Sequence, residues 1–399
     1  MSIALPEFNM MHRRQLLKSS PLLLGSLFVP FAALAQQGLP DPAAPAAASD
    51  RLAAAWRTAP GSGLAHAGRD FTGILELDWP QRQVRIAAQV LLPERVHGLL
   101  AEPGGGFLAV ASRPGRFLMR IDAQGQVAVH HALDEESPQR TLDGHISPSA
   151  DGQWLYTPET DPSTGQGWVS VRDHSTLRKV AQWSSHGIDP HQCLLDDSGA
   201  LVLVNGGIPR NADGSKRELH RMASSLVRLD GKSGELLGQW RLPDPRLSMR
   251  HVAWSLGGES SAQRLLGIGL QAEHDDAQAR NEAPTLALWN GKSLQLPSRS
   301  AMAGGYAGDI APGPGGGFIV SGQKVNRGLL WHPDDPGQLH TIAELRELCA
   351  LAAWQGKVGA SGVLIGSARG VSRWHPSVPA AMLAWPQDMS PDNHWVVLA

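Results

Sequence analysis

Residues able to bind a metal recur at the opening of one apolar strand after another along this chain. Histidines open the stretches RVHGLLA, DGHISP, DPHQCLL and RHVAW, at positions His97, His145, His191 and His251. AGDIAP, LCALAA and the final DNHWVVLA put a carboxylate or a thiol in the same slot, at Asp309, Cys349 and Asp392. The slots recur about every 40 to 60 residues, and short strands repeated at such a period are typical of a β-propeller.

Between these slots, each repeat contains a set of short strands separated by tight turns. The first unit runs from His97 through the turn PGGG to the strands FLAVAS, FLMRID and VAVHH, and the second and third units follow the same pattern. Helical patterns, which a βαβ protein would need, do not separate the strands. We therefore predict an all-β fold: a seven-bladed β-propeller over residues 66–399. The N-terminal strands at 71–90 and the C-terminal strand NHWVVLA would complete its last blade and close the ring.

The N-terminus has the features of an export signal. HRRQLLK, from His12 to Lys18, is a twin-arginine motif, and an apolar run and an A-x-A pattern at 33–35 follow it. Residues 1–35 are therefore predicted to be a cleaved twin-arginine signal peptide, and the mature protein is expected in the periplasm. Residues 36–65 are rich in Ala and Pro and are predicted to be a linker, with one weak helical turn around 52–56. No other segment is apolar enough to span a bilayer.

Composition excludes some classes of function. The formal net charge of -2 and the pI near 6.8 give no basis for nucleic-acid binding. Serine-hydrolase, Walker, zincin and c-type haem motifs are absent from the sequence. The chain has two cysteines, Cys193 and Cys349, so disulfides are not its framework, although the two could still pair.

The repeated histidines predict a metal or anion site. The first strand of each propeller blade lines the central channel, so four imidazoles in one slot should converge on its rim. Imidazole suits Zn, Cu, Fe and Ni. We expect iron or copper, or another small ligand on the channel rim, with Asp309 and Cys349 as further candidate ligands. The alternative is that these histidines are core residues hydrogen-bonded to neighbouring loops.

Other polar residues are candidates for holding a ligand on the same face. Glu159 and Asp161 lie in ETDPSTGQGW, where they could bind a cation or a ligand or could simply cap the loop. Asn205 lies on a loop rim. Arg113 and Arg250 could each hold an anion.

Several of these motifs together resemble the domain of unknown function 1513 family. They are SPSADG, YTPETD, TGQGWVSVRD, GIDPH, VNGGI and RHVA, and the resemblance extends over about residues 66 to 399. In this chain Gln192 follows His191 where an acid is usual. The family consists of predicted exported propellers, often encoded beside periplasmic iron-uptake lipoproteins of the imelysin type. The resemblance therefore implies a connection with iron or another metal, and a periplasmic iron-uptake protein as partner.

Three functions remain open at this level. The first is a periplasmic metal-binding propeller that assists the acquisition of iron or another transition metal. The second is a metal-dependent hydrolase of a small ester or lactone, with a histidine as base. The third is a non-catalytic platform that docks a partner protein. Whether the protein is an enzyme is not decided by its sequence.

Overall fold

The computed structural model describes residues 49–61, 63–64, 66–256, 264–297, 303–354 and 362–398. The predicted signal peptide, residues 1–35, and the first part of the predicted linker lie outside these residues. The described part of the chain is all-β, as the sequence predicts. It contains no helix long and apolar enough to cross a membrane.

The strands are short and follow one another closely along the chain. Their bounds are β1 Ser49–Thr58, β2 Asp70–Asp78, β3 Gln83–Leu91, β4 Val96–Ala101, β5 Phe107–Ala111, β6 Phe117–Ile121, β7 Val127–Ala132, β8 Thr141–Leu142, β9 Ser147–Pro148, β10 Trp154–Thr160, β11 Gln166–Asp173, β12 Lys179–Ile188, β13 Pro190–Leu195, β14 Leu201–Asn205, β15 Ser225–Leu229 and β16 Leu236–Trp240. The remaining strands are β17 Leu247–Trp254, β18 Leu266–Ala272, β19 Leu286–Trp289, β20 Leu294–Gln295, β21 Ile310–Pro312, β22 Phe318–Gly322, β23 Arg327–Trp331, β24 His340–Glu344, β25 Leu351–Trp354, β26 Gly362–Ser367, β27 Gly370–His375, β28 Val378–Ala384 and β29 Met389–Leu398. Two short helices, α1 Leu133–Glu136 and α2 Ala277–Glu282, and 3₁₀ turns at Leu219–Arg221, Pro314–Gly316 and Gln323–Val325 lie between them.

Most of the sheets are antiparallel and have four strands in chain order. These are β4 to β7, β13 to β16, β17 to β20 and β21 to β24. A five-stranded sheet has the order β12-β11-β10-β8, with β9 also paired to β10. An eight-stranded sheet joins β25 to β28 with a second set, β29-β1-β2-β3, through a parallel contact of β25 with β29.

Aspartate and glycine determine the tight turns inside these sheets. In the turn after β6, Asp122 Oδ1 accepts hydrogen bonds from the backbone N–H groups of Gln124 and Gln126, and Gly125 has a φ of +79°. Asp196 and Gly199 repeat this arrangement after β13, where Gly199 has a φ of +83°. Because the carboxylate satisfies backbone donors and glycine tolerates positive φ, the chain reverses direction within a few residues.

Apolar faces of successive sheets pack against each other. Val202 and Val204 of β14 share a buried cluster with Leu247 of β17 and Ile268 of β18. First strands of neighbouring sheets also contact one another: β29 with β4, β9 with β13, β13 with β17, β17 with β21, β21 with β25 and β25 with β29. This succession brings the openings of the first strands towards a common region.

The predicted linker is wrong over its second half. Residues 49–58 form β1, a ten-residue strand that pairs with β2 on one side and β29 on the other. Ala53, Ala54 and Trp56 are buried in the sheet, so this segment is part of the core and is not a helical turn. The C-terminal strand does pair with N-terminal strands, as predicted, but through β1.

The two long insertions lie together. The segment after β14 contains the 3₁₀ turn at 219–221, and the segment after β18 contains α2, which has no buried residue. Lys216 of the first insertion forms an ion pair with Glu273 of the second at 2.5 Å. The two insertions are therefore in contact with each other.

Candidate metal centre

Five histidines from separate strands or loops meet in one place, and we call them the histidine cluster. Four are the predicted ones, and the fifth comes from β29: His97, His145, His191, His251 and His394. Ring centroids lie 4.4 Å apart for His251 and His394 and 4.9 Å apart for His97 and His145. The widest separation recorded within the cluster, His97 to His251, is 5.9 Å. The five imidazoles therefore converge on one place.

Each histidine lies where the pairing of a first strand is interrupted. Register shifts occur between Val96 and Gly98, between Pro190 and Cys193, between Met249 and Val252, and opposite residues 391–395 of β29. His145 lies in the gap between β8 and β9, which pair with different parts of β10. An extra residue in a strand bends it and redirects a side chain. These bulges therefore release the histidines from the sheets and turn them towards each other.

Glycine allows two of the rings to approach closely. Gly144 precedes His145 with a φ of +96°, and a Cβ there would lie 2.8 Å from Cδ2 of His97. Any side chain at Gly144 would therefore push the His97 ring out of the cluster, besides straining the backbone.

Four of the five rings have nitrogens close enough to share one ion. One ligand atom from each of His97, His145, His251 and His394 lies within 4.8 Å of the others. Nε2 of His251 is 3.0 Å from Nε2 of His394 and also 3.0 Å from Nε2 of His191. Two nitrogens that each lie about 2.1 Å from a metal, with an N–metal–N angle of about 90°, are about 3.0 Å apart. The spacing of the His251 and His394 nitrogens therefore suits a shared ion.

Several nitrogens in the cluster have no hydrogen-bond partner in the described structure. They are both ring nitrogens of His97, Nε2 of His145 and Nδ1 of His251. Buried polar atoms are normally satisfied, and each exception calls for an explanation, such as a bound ion. An ion in the cluster would satisfy one ring nitrogen each of His97 and His145, so these donors fit a metal that imidazole binds.

Burial keeps four of the five rings neutral: His97, His145, His191 and His251. It lowers the pKa of the His97 imidazole to about 4, and the proximity of His394 adds to the effect. Burial, followed by repulsion from the other rings, also lowers the pKa values of His145, His191 and His251 well below their ordinary value. Neutral imidazole is the form that binds metals, so the site is ready for a cation at neutral pH.

Acidic groups stand behind two of the rings. Asp309 Oδ1 is 3.2 Å from Nδ1 of His394, and its Oδ2 accepts the backbone N–H of Leu351 at 2.9 Å. Asp392 Oδ1 lies 3.8 Å from Nδ1 of His97 and is paired with Arg95. Although burial opposes it, the hydrogen bond from Arg95 holds the pKa of Asp392 far below its usual range. Carboxylates placed behind ligating histidines orient the rings and raise their basicity.

An ionic network surrounds His191. Arg113 donates from Nε to Asp143 at 2.6 Å and from Nη1 to Asp189 at 2.5 Å, and its Nη2 is 3.1 Å from Nδ1 of His191. Asp189 also pairs with Arg210 at 2.7 Å and Arg250 at 3.0 Å. Burial would raise the pKa of Asp189, but these three guanidiniums lower it to about 2. Arg113 and Arg250, both predicted to hold an anion, thus hold a carboxylate of the protein itself.

Three of the predicted ligands lie outside the group of four rings: His191, Asp309 and Cys349. Asp309 lies outside the group of four and contacts His394 from behind, because its carboxylate is bound to the backbone of β25 as well. Cys349 lies outside it too: its Sγ is 3.8 Å from the backbone oxygen of Asp392. Burial raises the pKa of this thiol to about 12, so it is protonated at neutral pH. Both cysteines are free.

The remaining candidate residues contact groups of the protein itself. Glu159 is fully buried and accepts from Arg172 at 2.6 Å through Oε1. Asp161 caps its loop by accepting from the backbone N–H of Ser163, and it pairs with Arg140. Asn205 donates to the backbone oxygen of Ser185, in the neighbouring sheet, at 2.9 Å. Oε2 of Glu159 and Oδ1 of Asn205 have no hydrogen-bond partner in the described structure.

His394 is the member of the cluster that the repeat does not predict. The repeat places its last slot at Asp392, two residues earlier, because the bulge in β29 is not visible in the pattern DNHWVVLA. A signal was present, since His394 precedes Trp and Val at the start of an apolar strand much as His251 precedes Val and Ala.

Solved structures with a similar fold are β-propellers. A streptogramin B lyase structure aligns with a TM-score of 0.52 and 11% identity, over 73% of this chain and 83% of that one. A hydrazine synthase of Kuenenia stuttgartiensis aligns with a TM-score of 0.51 and 14% identity, over 84% and 95%. A periplasmic gluconolactonase of Pseudomonas aeruginosa aligns with a TM-score of 0.48 and 16% identity, over 75% and 83%. At such identities the likeness concerns the fold alone.

Sequence comparisons give a family and no characterised relative. Comparison with curated protein sequences finds no match. The model of one family, described as protein of unknown function (DUF1513), matches residues 90–398. Since this match covers well over half of the sequence, the chain belongs to the DUF1513 family.

Proposed function

We propose that this protein is a metal-binding β-propeller that holds one transition-metal ion through His97, His145, His251 and His394. The observation that carries the proposal is the group of four buried imidazoles whose ligand atoms lie within 4.8 Å of one another. Unpaired ring nitrogens on His97 and His145 support it, because an ion would supply the partner that the described structure lacks. Four ligands are the usual number for a tightly held Zn or Cu ion and leave positions free on iron.

The proposal includes a closed ring of seven blades. Supporting it are the sets of strands and the contacts between their first strands, which run from β9 with β13 round to β29 with β4. The eight-stranded sheet would then be two blades, β25 to β28 and β29-β1-β2-β3, joined at their first strands. A closed ring leaves only the short outer edge of each blade unpaired and gives the histidines of five blades a common axis.

The donor set argues for a metal that prefers nitrogen. Calcium and magnesium take oxygen ligands, whereas imidazole suits Zn, Cu, Fe and Ni. The four proposed ligands are all imidazoles, and the carboxylates of Asp309 and Asp392 stand behind them. We propose iron or copper as the physiological ion.

The proposed role is an accessory one in periplasmic acquisition of iron or another transition metal. The twin-arginine motif at residues 12–18 supports export in a folded state, which would allow the ion to be inserted before export. A periplasmic iron-uptake protein would be the partner that delivers or receives the ion.

The test is the metal content of protein matured through its own export route. Elemental analysis of the wild type should find about one equivalent of a transition metal per chain. The double variant His97→Ala, His145→Ala should lose it, whereas His220→Ala, which removes an exposed histidine from the 3₁₀ turn at 219–221, should keep it. A wild type as empty as the double variant would contradict the proposal and favour a docking platform. Circular dichroism of the double variant verifies that it is folded.

A further inference from the structure

Arg113 determines which nitrogen of His191 carries the proton. A guanidinium has only donors. Its Nε, Nη1 and one Nη2 hydrogen are directed to Asp143, Asp189 and the backbone oxygen of Pro190, which fixes its orientation. The same Nη2 lies 3.1 Å from Nδ1 of His191. That nitrogen must therefore accept, and the neutral ring carries its proton on Nε2.

His394 has the opposite arrangement. Its Nδ1 is 3.2 Å from the carboxylate of Asp309, which can only accept when ionised. The proton of His394 is therefore on Nδ1, and its Nε2 presents a lone pair. The two rings that approach Nε2 of His251, each at 3.0 Å, thus offer it an N–H from His191 and a lone pair from His394.

A metal on the four proposed ligands removes the acceptor of His191. When the lone pair of His251 Nε2 binds the ion, it no longer accepts the N–H of His191. A buried N–H without an acceptor is costly, so the loaded site needs another acceptor beside Nε2 of His191.

Charge leads to the same requirement. An imidazole that binds a metal brings no charge of its own. Around the cluster, the described ion pairs join four carboxylates with four guanidiniums: Asp143, Asp189, Asp309 and Asp392 with Arg95, Arg113, Arg210 and Arg250. These described groups have no net negative charge to offset the two or more positive charges that an ion would bring into a buried site.

We infer that His191 is not a metal ligand but the hydrogen-bond donor to a small anion bound to the metal from outside the protein. Arg113 acts through it as a positioning residue, because it holds the Nε2–H of His191 towards the ion. The inference rests on the proposed metal site and adds a ligand class: anions small enough to enter the cluster, such as a carboxylate group or azide. The side chains of His97 and His394 are 11% and 12% exposed, so the cluster is not sealed from solvent.

The test uses copper-loaded protein and azide as the probe, because azide bound to Cu(II) gives a charge-transfer band. We compare the wild type with His191→Phe, which has no donor, and His191→Gln, whose amide restores an N–H near the same place. We expect one copper per chain in all three proteins. Azide affinity should fall about tenfold or more in His191→Phe and recover in His191→Gln, the effect of one hydrogen bond to a charged group.

Two results would overturn the inference. If His191→Phe loses its copper, His191 is a ligand; if it binds azide as the wild type does, His191 is not the donor. A wild type that takes up no copper or other transition metal would instead count against the proposed metal site. The tautomers provide a separate test in metal-free protein: ¹⁵N-histidine NMR should show the proton on Nε2 of His191 and on Nδ1 of His394. The reverse assignment at His191 contradicts the inference whatever the metal content.

Discussion

Residues in the same slot, at the opening of a first strand, make two different kinds of contact in this molecule. In β4, β13, β17, β29 and the gap between β8 and β9, the slot or its neighbour holds a histidine that turns into the cluster. In β21 and β25 the corresponding residues, Asp309 and Cys349, remain bound to nearby backbone groups. The repeat therefore determines the position of a polar residue relative to its strand. Local bulges and long-range contacts determine which groups its side chain contacts.

The largest loss of metal affinity is expected when His251 is replaced, because its ring contacts those of His191 and His394. His251→Ala removes a proposed ligand whose Nε2 is 3.0 Å from two neighbouring rings. Metal affinity should fall more than a hundredfold, since changes behind a ligand already cost about 10- to 100-fold. Competition with a chelator measures this affinity. His340→Ala, at an exposed His–Asp pair, is the control and should bind as the wild type does; equal affinities for both variants would remove His251 from the site.

Replacement of Asp309 tests whether a slot without a histidine supports the histidine cluster. Asp309→Asn keeps the shape but removes the charge that faces Nδ1 of His394 at 3.2 Å. We expect metal affinity to fall about 10- to 100-fold with the metal stoichiometry unchanged. Asp335→Asn, which alters the exposed contact with His340, is a matched control. A complete loss of metal would show that Asp309 is itself a ligand.

The buried histidines also predict how the stability of the metal-free protein depends on pH. The unfolded His97 ring takes up a proton near pH 6.5, whereas the folded ring resists it down to about pH 4. The unfolded state therefore binds more protons in this window, and the free energy of unfolding should fall as pH drops. The slope is about 1.4 kcal/mol per pH unit for each such ring. Urea denaturation between pH 7.5 and 5 measures it.

Replacement of His97 tests the contribution of one ring to this pH dependence. His97→Phe removes one of the rings with a lowered pKa, so its stability should fall less steeply with decreasing pH than that of the wild type. The exposed His340→Ala variant should keep the wild-type slope. A stability that does not change between pH 7 and 5 would contradict the burial of neutral rings.

The smallest effect is expected at Cys349. Its thiol stays protonated at neutral pH, because burial raises its pKa to about 12, and its Sγ contacts a backbone oxygen. Cys349→Ala should therefore leave metal content and affinity unchanged, with a loss of stability of about 1 kcal/mol from the missing sulfur atom. Loss of the ion in this variant would restore the thiolate as a candidate ligand.

The sequence predicts the all-β fold and four of the five clustered histidines because polar residues at strand openings stand out against apolar runs. It does not predict β1, whose residues LAAAW have low strand propensity. Small side chains suit that strand because it lies between β2 and β29, with Ala53 and Ala54 fully buried.

Long-range contacts limited the rest of the site prediction. The position of His394 depends on a bulge in β29 that only the pairing with β1 defines. The role of Asp309 depends on a contact with a residue 85 positions later, and that of Arg113 on one 78 positions later. Neither separation leaves a local pattern, so both residues could be proposed as polar candidates but not assigned to a particular histidine.

X-ray absorption spectroscopy of the metal-loaded protein identifies the ligands of the ion, and so tests whether four imidazoles hold it. We expect a first shell with about four nitrogens at about 2.0–2.1 Å, and the outer-shell scattering that imidazole rings produce. A first shell that contains sulfur at about 2.3 Å, or oxygen without imidazole scattering, would contradict the four-histidine site.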